Sequence, residues 1–392
     1  MTHDYASIAA SLLANARAES FAGYDPFDFL NSGLFRRTPL ARSGFARLAW
    51  VQLGKRLPIN LRPALLVPKV RNPKGMALFI LGLCEDYQRT REETFLSEAV
   101  ELGRWLVAHR SDPTVWEGSC WGYPFDWQAR AFFVPAGKPN VIATVYVSRA
   151  LRRLAELTGF EEFEHHALSS ATFIQKRLLI SDPGRPYFAY VPDETAFVHN
   201  ASLWAAAWCT VAGRRLGNAD LVDLALQVAH TSAADQRVDG SWVYGTRTHH
   251  QFIDGFHTGF NIEALDIICR EVEDAVLARA RDAGYKFYVE CCFDDATTAK
   301  YYAHETYPVD THSVAQAIVT VITIEGGLSS LALCRRILDR GIELLYRPSV
   351  GLFAYQRGRY VRNNVTYSRW AQAWAYYSVA LFNRHAGGRG GA

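Results

Sequence analysis

The sequence lacks several things, and each absence narrows what the chain can be. It has no CxxC pair, and its seven cysteines are scattered and odd in number: Cys84, Cys120, Cys209, Cys269, Cys291, Cys292 and Cys334. That excludes an obvious disulfide framework, fits a reducing compartment, and makes a cytoplasmic location the expectation. No run of about 18 uninterrupted apolar residues occurs, so no membrane span is predicted. The first twenty residues lack the basic start and apolar run of a signal peptide. Charge of either sign is not in excess: 42 basic against 39 acidic residues give +3, too balanced for a nucleic-acid partner to be expected. HExxH, HxxxH, a Gly-rich phosphate loop and a GxSxG elbow are missing. His249 and His250 are adjacent and point apart in most backbones. Asp310 and His312 are awkwardly spaced for one ion, and Asp294-Asp295 has no third carboxylate at helical spacing. Neither a metal nor a cofactor is therefore expected.

What the chain has is apolar and aromatic residues, 49% and 13% of the total, enough for a large core. Residues 4–20 read as a helix, with Ile8, Leu12, Leu13 and Ala16 on one side. Pro39 to Leu53 reads as another. Leu57 to Asn72, with Pro58, Pro63 and Pro68, reads as an extended strap over the core.

From Asn72 onward a unit repeats. A polar or proline-containing start leads into an apolar helix. A second, amphipathic helix follows, then a loop rich in glycine and aromatics. The apolar helices begin near Pro73, Asn140, Asn200, His257, Asp310 and Ser368, with intervals of 67, 60, 57, 53 and 58. Helices that are apolar nearly all round are buried ones, and those with one apolar stripe lie outside. The amphipathic helices are predicted at Glu93–His109, Glu161–Leu179, Ala219–Ala234, Asp274–Cys291 and Ser329–Tyr346, with the N-terminal helix as the sixth outer member. Two concentric rings of this kind make an all-α (α/α)6 toroid. The expected organisation is an arm over 1–71, the toroid over 72–385 and a mobile tail over 386–392.

In such a ring the starts of the inner helices meet at one end. Polar groups gathered there are Asp126, Arg130, His199, Asn200, Asp254, His257, Glu305, Tyr307, Asp310, His312, Arg362, Asn363, Tyr367 and Arg369. Helix capping is the plain alternative, since Asn200, Asp310 and Ser368 are ordinary capping residues. Capping accounts for one residue per helix and leaves His199, His257 and His312 unexplained. The return loops bring Tyr123, Trp127, Trp242 and Tyr244, aromatic faces that suit the C–H faces of sugars or that staple the barrel end.

Three stretches carry a resemblance: Tyr123-Pro124-Phe125-Asp126-Trp127, Gly240-Ser241-Trp242-Val243-Tyr244, and Asp254-Gly255-Phe256-His257-Thr258-Gly259-Phe260. They resemble a bacterial family of toroid proteins associated with polysaccharide biosynthesis. More distantly, the layout over Asn72 to Arg384 resembles the C-terminal helical domain of D-glucuronyl C5-epimerases and the six-hairpin glycosidases. Phe256 stands where the epimerases have Tyr, and Phe260 where they have a second His. The resemblance implies an enzyme that abstracts the C5 proton of a uronic acid and returns it on the opposite face. It makes Tyr244, Glu305, Tyr307 and Tyr360 candidate proton carriers, and Arg362 and Arg369 a carboxylate clamp. Asp126 and His257 would orient the sugar or act as acid and base. Two alternatives stay open. One is glycoside hydrolysis by a carboxylate pair, Asp126 with Asp254 or Asp310. The other is a non-catalytic glycan-binding or scaffold protein. The expected partner is an oligo- or polysaccharide, lipid-linked or free, and a homodimer is left open.

Overall fold

The computed structural model describes residues 3–129, 133–295 and 297–387. Among them the chain forms α1 (Tyr5–Ala18), α2 (Gly44–Arg56), α3 (Pro73–Thr90), α4 (Glu93–Ala108), α5 (Val141–Thr158), α6 (Glu161–Phe173), α7 (His199–Leu216), α8 (Ala219–Ala234), α9 (Gly255–Glu271), α10 (Ala275–Cys291), α11 (Thr311–Glu325), α12 (Leu328–Leu345) and α13 (Ala373–Gly387). Helices α3, α5, α7, α9, α11 and α13 pack side to side in that order, and α13 returns to α3. The ring is closed. Each inner helix has an outer partner: α4, α6, α8, α10 and α12 follow their own inner helix, and α1 covers α13. This is the (α/α)6 toroid expected from the alternation of helix types.

The two rings differ because their residues do. In α7 every residue from His199 to Gly213 is buried. In α4 burial is confined to one stripe, Ala99, Val100, Leu102, Gly103, Leu106 and Val107. Each Leu, Val or Phe so buried contributes roughly 1.5–3 kcal/mol. The buried side chains of both rings form one continuous cluster. Loop aromatics close the outer layer: Trp242 donates from Nε1 to the Ser232 carbonyl at 2.9 Å. It lies so close to Gly284 of α10 that a Cβ there would meet its ring at 2.6 Å.

Four inner helices start on a capping side chain. Asn72 accepts from the Lys74 and Gly75 amides, Asn140 from Ala143, Asp254 from His257 and Asp310 from His312. The other two do not. The cap of α7 is Val198, so Asn200 is not a capping residue and lies inside the helix. A π-helical turn, Ser368–Gln372, leads into α13 with Tyr367 as its cap residue, and Ser368 makes no capping bond.

The arm departs from the sequence expectation in detail. The predicted helix from Pro39 to Leu53 is split at Ser43 into a 3₁₀ turn, Pro39–Arg42, and α2. α2 seats Val51 and Gly54 on Leu30, Phe29 and Phe35, and a Cβ at Gly54 would meet the Phe29 ring at 2.2 Å. Two buried ion pairs tie the N-terminal 72 residues together and to the ring: Arg62 to Asp28 at 2.6 Å, and Arg369 to Asp25 at 2.6 Å. Of the expected tail, residues 386 and 387 belong to α13, and 388–392 lie outside the described residues.

Candidate functional site

At the end of the ring where the inner helices start lies a cavity of about 240 Å³. The first turns of α3, α7 and α11, the first two turns of α9 and the turn before α13 supply Lys74, Asn200, Phe256, His257, Phe260, His312, Arg369 and Trp370. Loops add Tyr123, Phe125, Trp127, Tyr190, Tyr244, Phe252 and Tyr301, and the arm adds Phe27 and Lys55. None of the lining side chains among the described residues is a carboxylate.

Acidic groups stand one step behind the wall. Asp254 is buried and takes the His257 ring Nδ1 at 2.7 Å on one oxygen and the His257 backbone amide at 2.8 Å on the other. A carboxylate only accepts, so Nδ1 carries a proton, and in the neutral form of the ring the lone pair is on Nε2. Nε2 has no hydrogen-bond partner among the described residues. Asp25 does the same for Arg369, accepting from Nε at 2.6 Å and Nη2 at 2.9 Å. Burial works against the Arg369 charge, but Asp25 more than offsets it and holds the guanidinium pKa above its ordinary value. The guanidinium also lies 4.8 Å from the Tyr123 ring centroid. Asp310 is fully buried. It holds the His312 amide, Gln356 Nε2 and Trp370 Nε1, so it fixes the wall without facing the cavity. Burial pushes its carboxyl up to about 6, against the pull of those bonds.

Two groups on the wall lack protein partners among the described residues. Both ring nitrogens of His312 and the Oδ1 of Asn200 are buried without a hydrogen bond. The His312 ring is stacked on Phe256 at 4.8 Å and Trp374 at 4.6 Å. Burial, then Lys74 and Arg369, push its pKa well down, so it is neutral. Native proteins satisfy nearly all such atoms, and these are left for a ligand or water. Lys74 lies on the floor, its amine 4.3 Å from the Tyr146 centroid, 5.1 Å from Phe260 and 5.3 Å from Trp374. No carboxylate pairs with it among the described residues, and burial first, Arg369 second, lower its pKa strongly. Burial raises the pKa of Tyr123, Tyr190, Tyr244 and Tyr301, which makes these phenols proton donors rather than bases.

Of the residues singled out in the sequence, Tyr123, Trp127, Asn200, Tyr244, His257, His312 and Arg369 share the cavity. Asp254 and Asp310 back it. Asp126 turns away, bonded to Arg36 at 2.8 Å and to the Ala136 amide at 2.9 Å. His199 is buried against α8, with Nδ1 3.4 Å from Ser232 Oγ. Trp242 is buried behind the loop. Tyr367 is buried under the Arg62 guanidinium. Glu305 and Tyr307 are partly or largely exposed on the loop before α11, outside the lining. Arg362 sits in a two-residue strand, and Tyr360, at its turn, is 86% exposed. Arg130 lies outside the described residues. Sequence reasoning missed Lys74, Lys55 and Asp25. A signal for Lys74 was present: it is the one charge between Asn72 and Cys84, a run that is buried throughout, Lys74 included. Among the described residues no group of three or more His, Cys, Asp or Glu is placed to hold a metal ion.

No protein-family model matches the chain, and no curated protein sequence does. Solved structures do. An unsaturated glucuronyl hydrolase specific for heparin matches at 12% identity and a TM-score of 0.61, over 83% of this chain and 89% of its own. A cellobiose 2-epimerase from Bacillus thermoamylovorans matches at 12% and 0.59, over 80% and 88%. A protein from Listeria innocua matches at 10% and 0.64, over 97% of both chains. At these identities the likeness is one of fold: the chain is an (α/α)6 toroid with a distant resemblance to six-hairpin proteins.

Proposed function

We propose that the protein is a carbohydrate-active enzyme of polysaccharide synthesis or modification, and that it epimerises an anionic sugar, most specifically a uronyl residue. One observation carries this reading. A histidine held by a buried carboxylate faces a cavity lined by Arg369, Lys74 and Lys55 and, among the described residues, by no carboxylate. That arrangement suits removal of a proton beside a carboxylate, where the developing negative charge needs cations. It does not suit hydrolysis by a carboxylate pair, because Asp126, Asp254 and Asp310 do not reach the lining. Proteins of the same fold include a cellobiose 2-epimerase, a D-mannose isomerase and an unsaturated glucuronyl hydrolase, which supports a sugar as substrate.

In this mechanism Nε2 of His257 takes the C5 proton, and Asp254 stabilises the imidazolium that forms. Charge moves onto the substrate carboxylate beside Arg369. Inversion needs a second proton carrier from another direction. Lys74 belongs to α3, three places from α9 either way round the ring. Its depressed pKa makes the ammonium a ready donor once a bound carboxylate supplies the counter-charge. His257 and Lys74 reset through solvent.

The test is incubation with uronate-containing glycans in deuterated water. C5 deuterium uptake that disappears in His257→Gln supports the reading. Absence of exchange across the panel, or release of new reducing ends instead, overturns it. Binding without turnover that survives both His257→Gln and Lys74→Met returns the protein to a glycan-binding role.

A further inference from the structure

Residues 29–84 contain ten Lys and Arg and no Asp or Glu, which leaves the rest of the chain with 32 basic against 39 acidic residues. The chain is balanced overall because a basic segment offsets an acidic remainder. Inside that segment α2 is turned the unusual way. Its buried side is Val51 and Gly54, and its outward side carries Phe45, Ala49 and Leu53, spaced four apart on one face. Phe45 is 84% exposed, and Ile59, just beyond the helix, is 67% exposed. Apolar side chains this large and this close together are normally covered.

The hairpin Gln356–Asn363 continues the surface. Asn363 Nδ2 bonds the Leu57 carbonyl at 3.0 Å, which holds the hairpin against the end of α2. Its tip presents Tyr360 at 86% and Val361 at 59% exposure. Around the two apolar parts stand Arg37, Arg42, Arg56 and Arg359, all exposed and none in an ion pair among the described residues. By contrast, Arg62 and Lys69 of the same segment are paired with acids.

We propose that this face, α2 with the hairpin tip, docks on an anionic lipid surface. The exposed row is apolar where an interfacial helix enters the acyl boundary, and its border is cationic where phosphate headgroups lie. Charge decides against a second copy as occupant: two such faces would oppose guanidinium to guanidinium. The proposal stands apart from the catalytic reading, but it gives the cavity a consistent neighbour. A groove of about 580 Å³ runs between α2 and the hairpin, lined by Arg56, Pro58 and Val361 of the docking face and by Lys55 and Tyr301 of the cavity. An amphiphile with an anionic glycan head could pass along it while its tail stays in the lipid.

The test is co-flotation of the full chain with vesicles of phosphatidylglycerol and phosphatidylcholine, against vesicles of phosphatidylcholine alone. The expected result is flotation with the anionic vesicles only, weakened by salt. Phe45→Asp with Leu53→Asp lowers it at every salt concentration. Arg42→Glu with Arg56→Glu lowers the partition coefficient roughly tenfold or more at low salt. All four side chains are exposed, and an unchanged near-ultraviolet circular dichroism spectrum shows that the fold persists. His257→Gln floats like the parent chain, so lost turnover and lost docking are separable. Failure to float with either vesicle overturns the proposal. So does flotation indifferent to both double variants. So does a stable dimer in sedimentation that Phe45→Asp dissociates, because the face is then covered by another copy.

Discussion

Nδ1 of His257 lies 2.7 Å from Oδ2 of Asp254, three residues earlier in the chain, and Oδ1 of the same carboxylate caps the helix that carries the histidine. One side chain thus sets both where α9 begins and which way its imidazole is protonated. Asp254→Asn separates the two roles. The amide oxygen can still cap, but its NH₂ can face Nδ1 and favour the tautomer with the proton on Nε2. The expected outcome is a fall in kcat of roughly a thousandfold or more with thermal stability nearly unchanged. Asp254→Ala loses the cap as well, at about 1 kcal/mol in denaturant unfolding.

Lys74 contributes an amine without a carboxylate partner to the cavity floor. Burial lowers its pKa, so the unfolded chain holds a proton that the folded chain releases. Stability from this group therefore falls as pH drops below the ordinary lysine value near 10.5. Lys74→Met should raise the melting temperature at neutral pH and abolish epimerisation, while C5 exchange through His257 persists. A melting temperature lower than the parent's contradicts this account.

Asp25 and Arg369 are both nearly fully buried, and their two hydrogen bonds join the arm to the start of α13. Asp25→Asn leaves a buried guanidinium uncompensated and should cost about 3–5 kcal/mol in urea unfolding. Asp25→Asn with Arg369→Met should cost less than the sum of the single changes, which a double-mutant cycle measures.

Glu263 is buried in the ring, accepting from Gln316 and Thr320, and burial raises its carboxyl to about 7. Between the unfolded value of 4.5 and that pH the folded state holds the extra proton. Its contribution to stability is present below the window and is lost as pH rises through it. Glu263→Gln should flatten this slope and be more stable than the parent at pH above the window, by on the order of 2–3 kcal/mol.

His199 titrates with the opposite sign. Burial lowers it from 6.5 to about 4, so the unfolded chain takes up the proton first. Stability from this group is lost as pH falls from 6.5 towards 4. His199→Gln should soften the acid limb of the unfolding curve without changing exchange kinetics at neutral pH.

The helical pairs were legible because burial writes a local pattern. α7 is apolar all round and α8 carries a stripe, and either can be read from a dozen neighbouring residues. Of the capping residues named from sequence, Asp310 caps its helix, but Asn200 lies inside α7 and Ser368 makes no capping bond. The candidate site was only partly legible. Tyr244 and His257 could be placed near a common mouth, but Glu305, Tyr307 and Tyr360 have the same residue types and stand outside it. Sequence position near a helix start does not say which way a side chain turns.

The sequence alone therefore determined the alternation of helix types, and with it the double ring. Tertiary structure decided the chemistry. Arg369 meets its partner Asp25 across 344 residues, and Lys74 becomes an unpaired floor amine only because α3 and α13 close the ring. Periodicity is a property of short segments. Charge pairing and burial at the cavity depend on which distant segments the closed ring brings together, and no local pattern encodes that.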